Sequence, residues 1–219
     1  MSNLIHGIDH FVYATPDLEQ TVVRITQATG VTAVFGGEHD IGTQNYLLSL
    51  THQGQRSGTY LEIIGVSADR AEPIEQDFFG LQTATSPYAS TFCIPLDRDG
   101  SAPAASQVAA AINEYAGTRR SVNPQERRTA SGELLTWLLL PPQAGVGVNP
   151  VPFAISWGAT AHPAETTGPS LELKRAAVQS TDPIGLTRLY RDLGITVPVT
   201  TGQPHISLTL NGPNGAITL

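Results

Sequence analysis

Cysteine is nearly absent. Cys93 is the only one in 219 residues, which excludes an intrachain disulfide, a cysteine-rich zinc site and a CxxC redox pair. It lies in the apolar run "STFCIPL" and reads as a buried structural thiol rather than a nucleophile. Charge is scarce too: 14% of residues are charged and the net charge is -7, with no basic stripe of the kind a phosphate backbone requires. Nucleic acid is therefore not an expected partner. No window approaches the roughly 20 apolar residues of a membrane span, and the start "MSNLIHGIDH" has no basic region followed by an apolar run. The expectation is a soluble, cytoplasmic protein with no membrane partner. Several motifs are also missing: the phosphate-cradling Gly-x-x-x-x-Gly-Lys, the Gly-x-Ser-x-Gly nucleophile elbow and the His-Glu-x-x-His helix. What is present is an apolar fraction of 40%, enough for a sizeable core.

That apolar material is written as a repeat. "IDHFVYAT" alternates like a strand, and "PDLEQTVVRITQATG" follows with Leu18, Val22, Ile25 and Thr29 at helical spacing and Gly30 as a stop. Three strand-like runs come next: "VTAVFG", "QNYLLSL" and "TYLEIIGV". The same βαβββ order recurs with "ASTFCIPL", the helix "SQVAAAINEYAG", and "TRRSVNP", "LLTWLLL" and "VPFAISWG". A third copy comprises "LELKRAAVQ", the helix "DPIGLTRLYRDLG", "TVPVTT", "HISLTLN" and "GAITL". The predicted organisation is module 1 over 4–66, a linker or lid over 67–87, module 2 over 88–158, a linker over 159–170 and module 3 over 171–219. Asp17 and Asp182 each precede a helix beside proline, and capping is their reading.

A βαβββ repeat with histidine in the first strand ("IDHFVYATPDL") and glutamate in the fourth ("YLEIIG") resembles the vicinal oxygen chelate superfamily, the glyoxalase and extradiol dioxygenase group. More narrowly, "GGEHDIGTQNYLLSL", "YLEIIG", "LLTWLLLPP", "VPFAISWG" and "HP" are similar to the glyoxalase-like domain proteins, over nearly the whole chain. The resemblance implies an α+β fold of mostly antiparallel sheets curled into a cup. It also implies a small-molecule site inside the cup, often with a divalent metal at its floor.

Strand alternation places His10, Val12 and Ala14 on one face with Asp9, Phe11 and Tyr13 on the other, and gives Tyr60, Glu62 and Ile64 a shared face. His10 and Glu62 can then both point into the cup. A glutamate among Leu61, Ile63 and Ile64 is costly to bury unless a partner or metal neutralises it, so Glu62 and His10 are the candidate catalytic pair. His39, in the glycine-rich link "GGEHDIGTQN", would complete a set of two histidines and one carboxylate, which suits a divalent metal such as Zn, Mn, Fe or Ni. Aligning the second copy to the first puts Thr91 opposite His10 and Ala154 opposite Glu62, neither a hard-metal ligand. The superfamily's four-ligand pattern is thereby broken, and glyoxalase I activity with it. Two readings stay open: a metal-assisted lyase, isomerase or dioxygenase acting on a small oxygenated, anionic metabolite, and a non-catalytic binding protein. Thr43, Asn45, Arg128 (with Arg127), Trp137, Trp157 and His162 are candidate ligand-binding residues. For Thr43 and Asn45 turn chemistry is the alternative, for the arginines a solvated hairpin, and for the tryptophans core filling. Module 3 either packs against the others or serves a homodimer contact.

Overall fold

The computed structural model describes residues 6–39, 41–67, 74, 76–96, 102–128, 134–145 and 147–219. A first unit comprises β1 (His10–Ala14), α1 (Leu18–Thr29), β2 (Val34–Glu38), β3 (Thr43–His52) and β4 (Gln55–Val66). A second comprises β5 (Tyr88–Pro95), α2 (Ala102–Ala116), β6 (Asn123–Arg128), β7 (Leu134–Leu140) and β8 (Phe153–Ser156). The short helix α3 (Pro163–Thr166) precedes a third, made of β9 (Ser170–Ser180), α4 (Pro183–Asp192), β10 (Val199–Thr201), β11 (His205–Gly212) and β12 (Gly215–Thr218).

The local chemistry of these elements is plain. Asp17 accepts the Gln20 N–H at 2.9 Å and Asp182 the Gly185 N–H at 2.9 Å, each satisfying a donor that its helix leaves open. Gly30 closes α1 in the left-handed region at φ 77°, where a side chain would be strained. Gln53 and Gly54 turn β3 into β4 with φ of 53° and 75°, the two-residue hairpin turn whose twist matches the strands.

All strands among the described residues join one sheet, ordered β12-β11-β9-β3-β4-β1-β5-β8-β7-β6, with β10 on β9 and β2 on β3. β1 runs parallel to β4, β5 runs parallel to β8, and β1 meets β5 antiparallel, so the first two units are wired alike and related by an approximate twofold. The third keeps the element order but not the wiring: β9 pairs antiparallel with β11 and parallel with β10 and β3. One sheet face is covered by helices, burying Leu18, Val22 and Ile25 of α1, Ile112 of α2 and Leu186, Leu189 and Tyr190 of α4 in a single cluster with Phe11, Tyr13, Leu61 and Leu208. The other face carries Val12, Ala14, Ile64, Cys93, Phe153 and Ile155, covered by Ile74, Phe79 and Leu81. The predicted alternation of β1 is thus observed for Phe11 to Ala14.

One strand lies elsewhere than expected. The run "TRRSVNP" is irregular to Val122, where Arg120 donates to the Pro141 carbonyl and the Asn113 side chain bonds the backbone at Arg120. The strand begins at Asn123, where the expected run was ending, and continues through Arg128. A polar strand containing proline is tolerated because β6 ends the sheet, where one row of backbone groups has no strand to pair with.

Candidate active site in the sheet cup

Between the first two units an open cavity of about 260 Å³ lies on the face away from α1, α2 and α4, with Pro163 of α3 at its edge. β1 and β4 supply His10, Tyr60 and Glu62, and β3 supplies Thr43, Asn45 and Leu47; β7 and β8 supply Trp137, Phe153 and Ile155, and Trp157 follows β8. Phe78 and Phe79 close it from the segment expected as a lid. That segment is tied down, since Asp77 accepts the N–H groups of Leu81 and Gln82 and the Tyr88 hydroxyl donates to the Phe79 carbonyl at 2.5 Å.

His10 is 4% exposed and Glu62 8%, and their placement follows from register: Val12 lies beside Glu62 and His10 beside Tyr60 on the parallel neighbour. Tyr60 stacks on the His10 ring at 4.6 Å, and Phe153 meets that ring edge-on at 5.3 Å. Glu62 Oε1 accepts from Asn45 Nδ2 at 2.5 Å, while Oε2 stands 3.6 Å from His10 Nε2, beyond hydrogen-bond length.

Asp9 organises the floor from behind. Its face was expected to be that of Phe11 and Tyr13; instead it sits one residue before the strand, freed from the alternation, and its carboxylate turns under His10. It accepts from His10 Nδ1 at 2.8 Å, from Trp157 Nε1 at 3.1 Å and from His162 Nε2 at 3.0 Å. Burial alone would raise the Asp9 carboxyl, but the hydrogen bonds from the two histidines and their charge bring it down to about 2. An ionised Asp9 keeps a proton of His10 on Nδ1, which leaves Nε2, facing the Glu62 carboxylate, as the ring atom that can gain or lose a proton. His162 Nδ1 accepts the Ala164 N–H at 3.1 Å, which leaves its proton on Nε2, directed at Asp9. His162 therefore braces Asp9 rather than reaching over the cavity. The signal for Asp9 was in the sequence, an acid adjoining the candidate histidine, but strict alternation concealed it.

Other candidates divide. Thr43 and Asn45 line the cavity, Thr43 bonding His39 Nδ1 at 2.8 Å and Asn45 bonding Glu62. Asn45 Oδ1 is buried without a hydrogen-bond partner among the described residues. Trp137 and Trp157 wall the cavity with ring centres 5.8 Å apart. The side chains of Arg127 and Arg128 lie outside the described residues. No lysine or arginine is among the described residues lining the cavity.

His39 lines the cavity, yet His10, His39 and Glu62 do not form a cluster of ligand atoms within 4.8 Å; among the described residues that distance gathers Asp9, His10 and Cys93. By spacing this second set could hold an ion, but Asp9 is engaged by three N–H donors, and burial, then the charges of Asp9 and Glu62, push the Cys93 thiol well up and keep it protonated. The twofold decides the rest. His10 lies opposite Cys93 and Val12 opposite Thr91, so Thr91 takes the place of His10 and Cys93 that of Val12. Cys93 pairs with Phe153 as Val12 pairs with Glu62. Phe153, not Ala154, therefore stands where Glu62 stands, and Ala154 belongs to the helix-side core; a register shift of one residue exchanges faces. The second unit offers no ligand at either mirrored position, and the family chelate does not fit.

Among solved structures, a hypothetical protein from Staphylococcus aureus is similar at 15% identity and TM-score 0.54, over 96% of this chain and 83% of that one. The Mn(II)-bound glyoxalase from Novosphingobium aromaticivorans aligns at 10% identity and TM-score 0.48, over 98% and 82%. The Streptomyces coelicolor methylmalonyl-CoA epimerase aligns at 15% and 0.41, over 71% and 99%. None of the curated protein sequences compared with the chain matches it. At these identities the structural likeness concerns the fold, but the model of one family, described as the glyoxalase-like domain, matches residues 8–194. With its repeated wiring and cupped sheet, this chain belongs to the glyoxalase-like domain family.

Proposed function

We propose that the protein is a glyoxalase-like enzyme that moves a proton on a small oxygenated metabolite, as an isomerase or lyase, with Glu62 and His10 as the proton-handling pair. Modules 1 and 2 (4–66 and 88–158) form the site in this reading, and module 3 supports it. The observation that carries it is the placement of His10 Nε2 and Glu62 Oε2, 3.6 Å apart on the cavity floor, with Asp9 holding the imidazole through Nδ1. Glu62 takes a proton from a carbon next to a carbonyl, breaking C–H while the electron pair moves to the carbonyl oxygen. His10, charged by a proton at Nε2 and supported by Asp9, donates it to that oxygen or to the neighbouring carbon. The step is redox-neutral. The dioxygenase branch would need a redox metal, for which the described donors do not provide the family chelate.

The test is exchange of carbon-bound hydrogen in D₂O, followed by NMR, over a panel of small 2-oxo and 2-hydroxy compounds, with and without a chelator. Wild type exchanges at least one member with chelator present, and Glu62→Gln and His10→Ala lose about 10²–10⁴-fold. Undiminished exchange in Glu62→Gln removes the proposal. A wild type that binds panel members and exchanges none establishes the non-catalytic reading, which the aromatic walls also accommodate.

A further inference from the structure

We propose that the ligand of this cup is an organic cation, a protonated amine or quaternary ammonium carried on a small apolar frame. This deepens the proposed function and rests on the same cavity being the ligand site. Two buried carboxylates, Asp9 and Glu62, lie at the floor. Asp9 is satisfied by N–H donors, whereas Glu62 has one amide bond on Oε1 and, at Oε2, only His10 Nε2 at 3.6 Å, beyond hydrogen-bond length. Among the described lining residues no lysine or arginine offsets this charge. A buried carboxylate oxygen with no hydrogen-bonded cation is costly, and an ammonium placed over Glu62 Oε2 would offset that cost.

The walls suit the same guest. Trp137 and Trp157 stand 5.8 Å apart at an interplanar angle of 44°, and Tyr60 and Phe153, which also line the cavity, lie against the His10 ring. Aromatic faces attract cations and also bury an apolar frame, tryptophan most strongly. Trp157 is oriented for this by its N–H bond to Asp9. A carboxylate-bearing ligand would instead meet the Glu62 charge.

The test uses three probes that share a phenethyl frame and differ in the end group: phenethylammonium, phenethyl alcohol and 3-phenylpropionate. Trp137 and Trp157 are the only tryptophans, so quenching of intrinsic fluorescence reports the cup. The expected order is ammonium at least tenfold tighter than the alcohol, with the carboxylate weakest. Glu62→Gln abolishes the ammonium preference, and Trp137→Leu weakens ammonium binding measured by calorimetry. Glu19→Gln, on the exposed side of α1, controls for net charge and leaves the order unchanged. Thermal melts establish that each variant is folded. Tighter binding of the carboxylate, equal binding of all three, or no binding of any overturns the inference. Since proton exchange is measured separately, loss of charge preference with exchange intact sinks the ligand class while the acid–base reading stands.

Discussion

At the scale of single residues, Asp9 has the largest reach, because one carboxylate fixes a tautomer of His10, orients Trp157 and anchors His162. Its acid strength makes this measurable. The folded-state value of about 2 lies below the ordinary 3.8, so the folded protein holds this proton less tightly than the unfolded chain. The stabilisation is complete above about pH 4 and is lost as the pH falls toward 2, and it amounts to roughly 2 kcal/mol at about 1.4 kcal/mol per pKa unit. Urea unfolding of wild type and Asp9→Asn at pH 6, 4, 3 and 2 should show a stability gap that narrows below pH 4. A gap of constant size would mean that the carboxylate charge is not what stabilises the floor. His10 and Glu62 were legible as a pair because a two-residue period is enough to put them on one face. His39 was raised by its company in the first module, but the period says nothing about how far a loop carries an imidazole.

At the scale of elements, the link "GGEHDIGTQN" spans the join of β2 to β3, and its first glycine matters through space. Gly36 has no need of a left-handed backbone, but a Cβ there would overlap the Asn45 amide oxygen and crowd Leu47 at 2.9 Å. β2 can therefore lie close over the strand that holds Asn45 against Glu62. Gly36→Ala should fold, lose about 1–3 kcal/mol from overpacking, and loosen the Asn45–Glu62 bond. Thermal melts together with ammonium titration would show both effects; unchanged affinity would mean that Asn45 does not position Glu62. The helices were legible from spacing and caps, whereas β6 was not. Strand propensity favours apolar alternation, and an edge strand made of "NPQERR" is defined by the neighbour it pairs with rather than by its own residues.

At the scale of the whole molecule, the third unit is part of the fold's core rather than an appendage. β9 extends the sheet beside β3, Tyr190 of α4 packs edge-on against Phe92 of β5 at 5.6 Å, and its hydroxyl donates to the Pro150 carbonyl at 2.6 Å. One apolar cluster runs through all three units, so unfolding should be a single event. Leu208 of β11 is fully buried in that cluster. Leu208→Ala should cost about 2–5 kcal/mol and lower Tm by on the order of 10 °C. The shift should appear equally in tryptophan fluorescence, which reports the second unit, and in far-ultraviolet circular dichroism. Separate transitions would show that the third unit melts alone.

The sequence by itself determined the repeat, the helix faces, the caps and the face shared by His10 and Glu62, because all of these are set by period and by neighbours a few residues away. The tertiary structure decided what lies across the cup from them. It put Phe153 at the position mirroring Glu62, brought Asp9, Trp157 and His162 together over more than 140 residues of chain, and wired the third unit differently from the first two. Pairing register and sheet order are long-range choices. A shift of one residue, invisible in the local pattern, exchanges one face for the other.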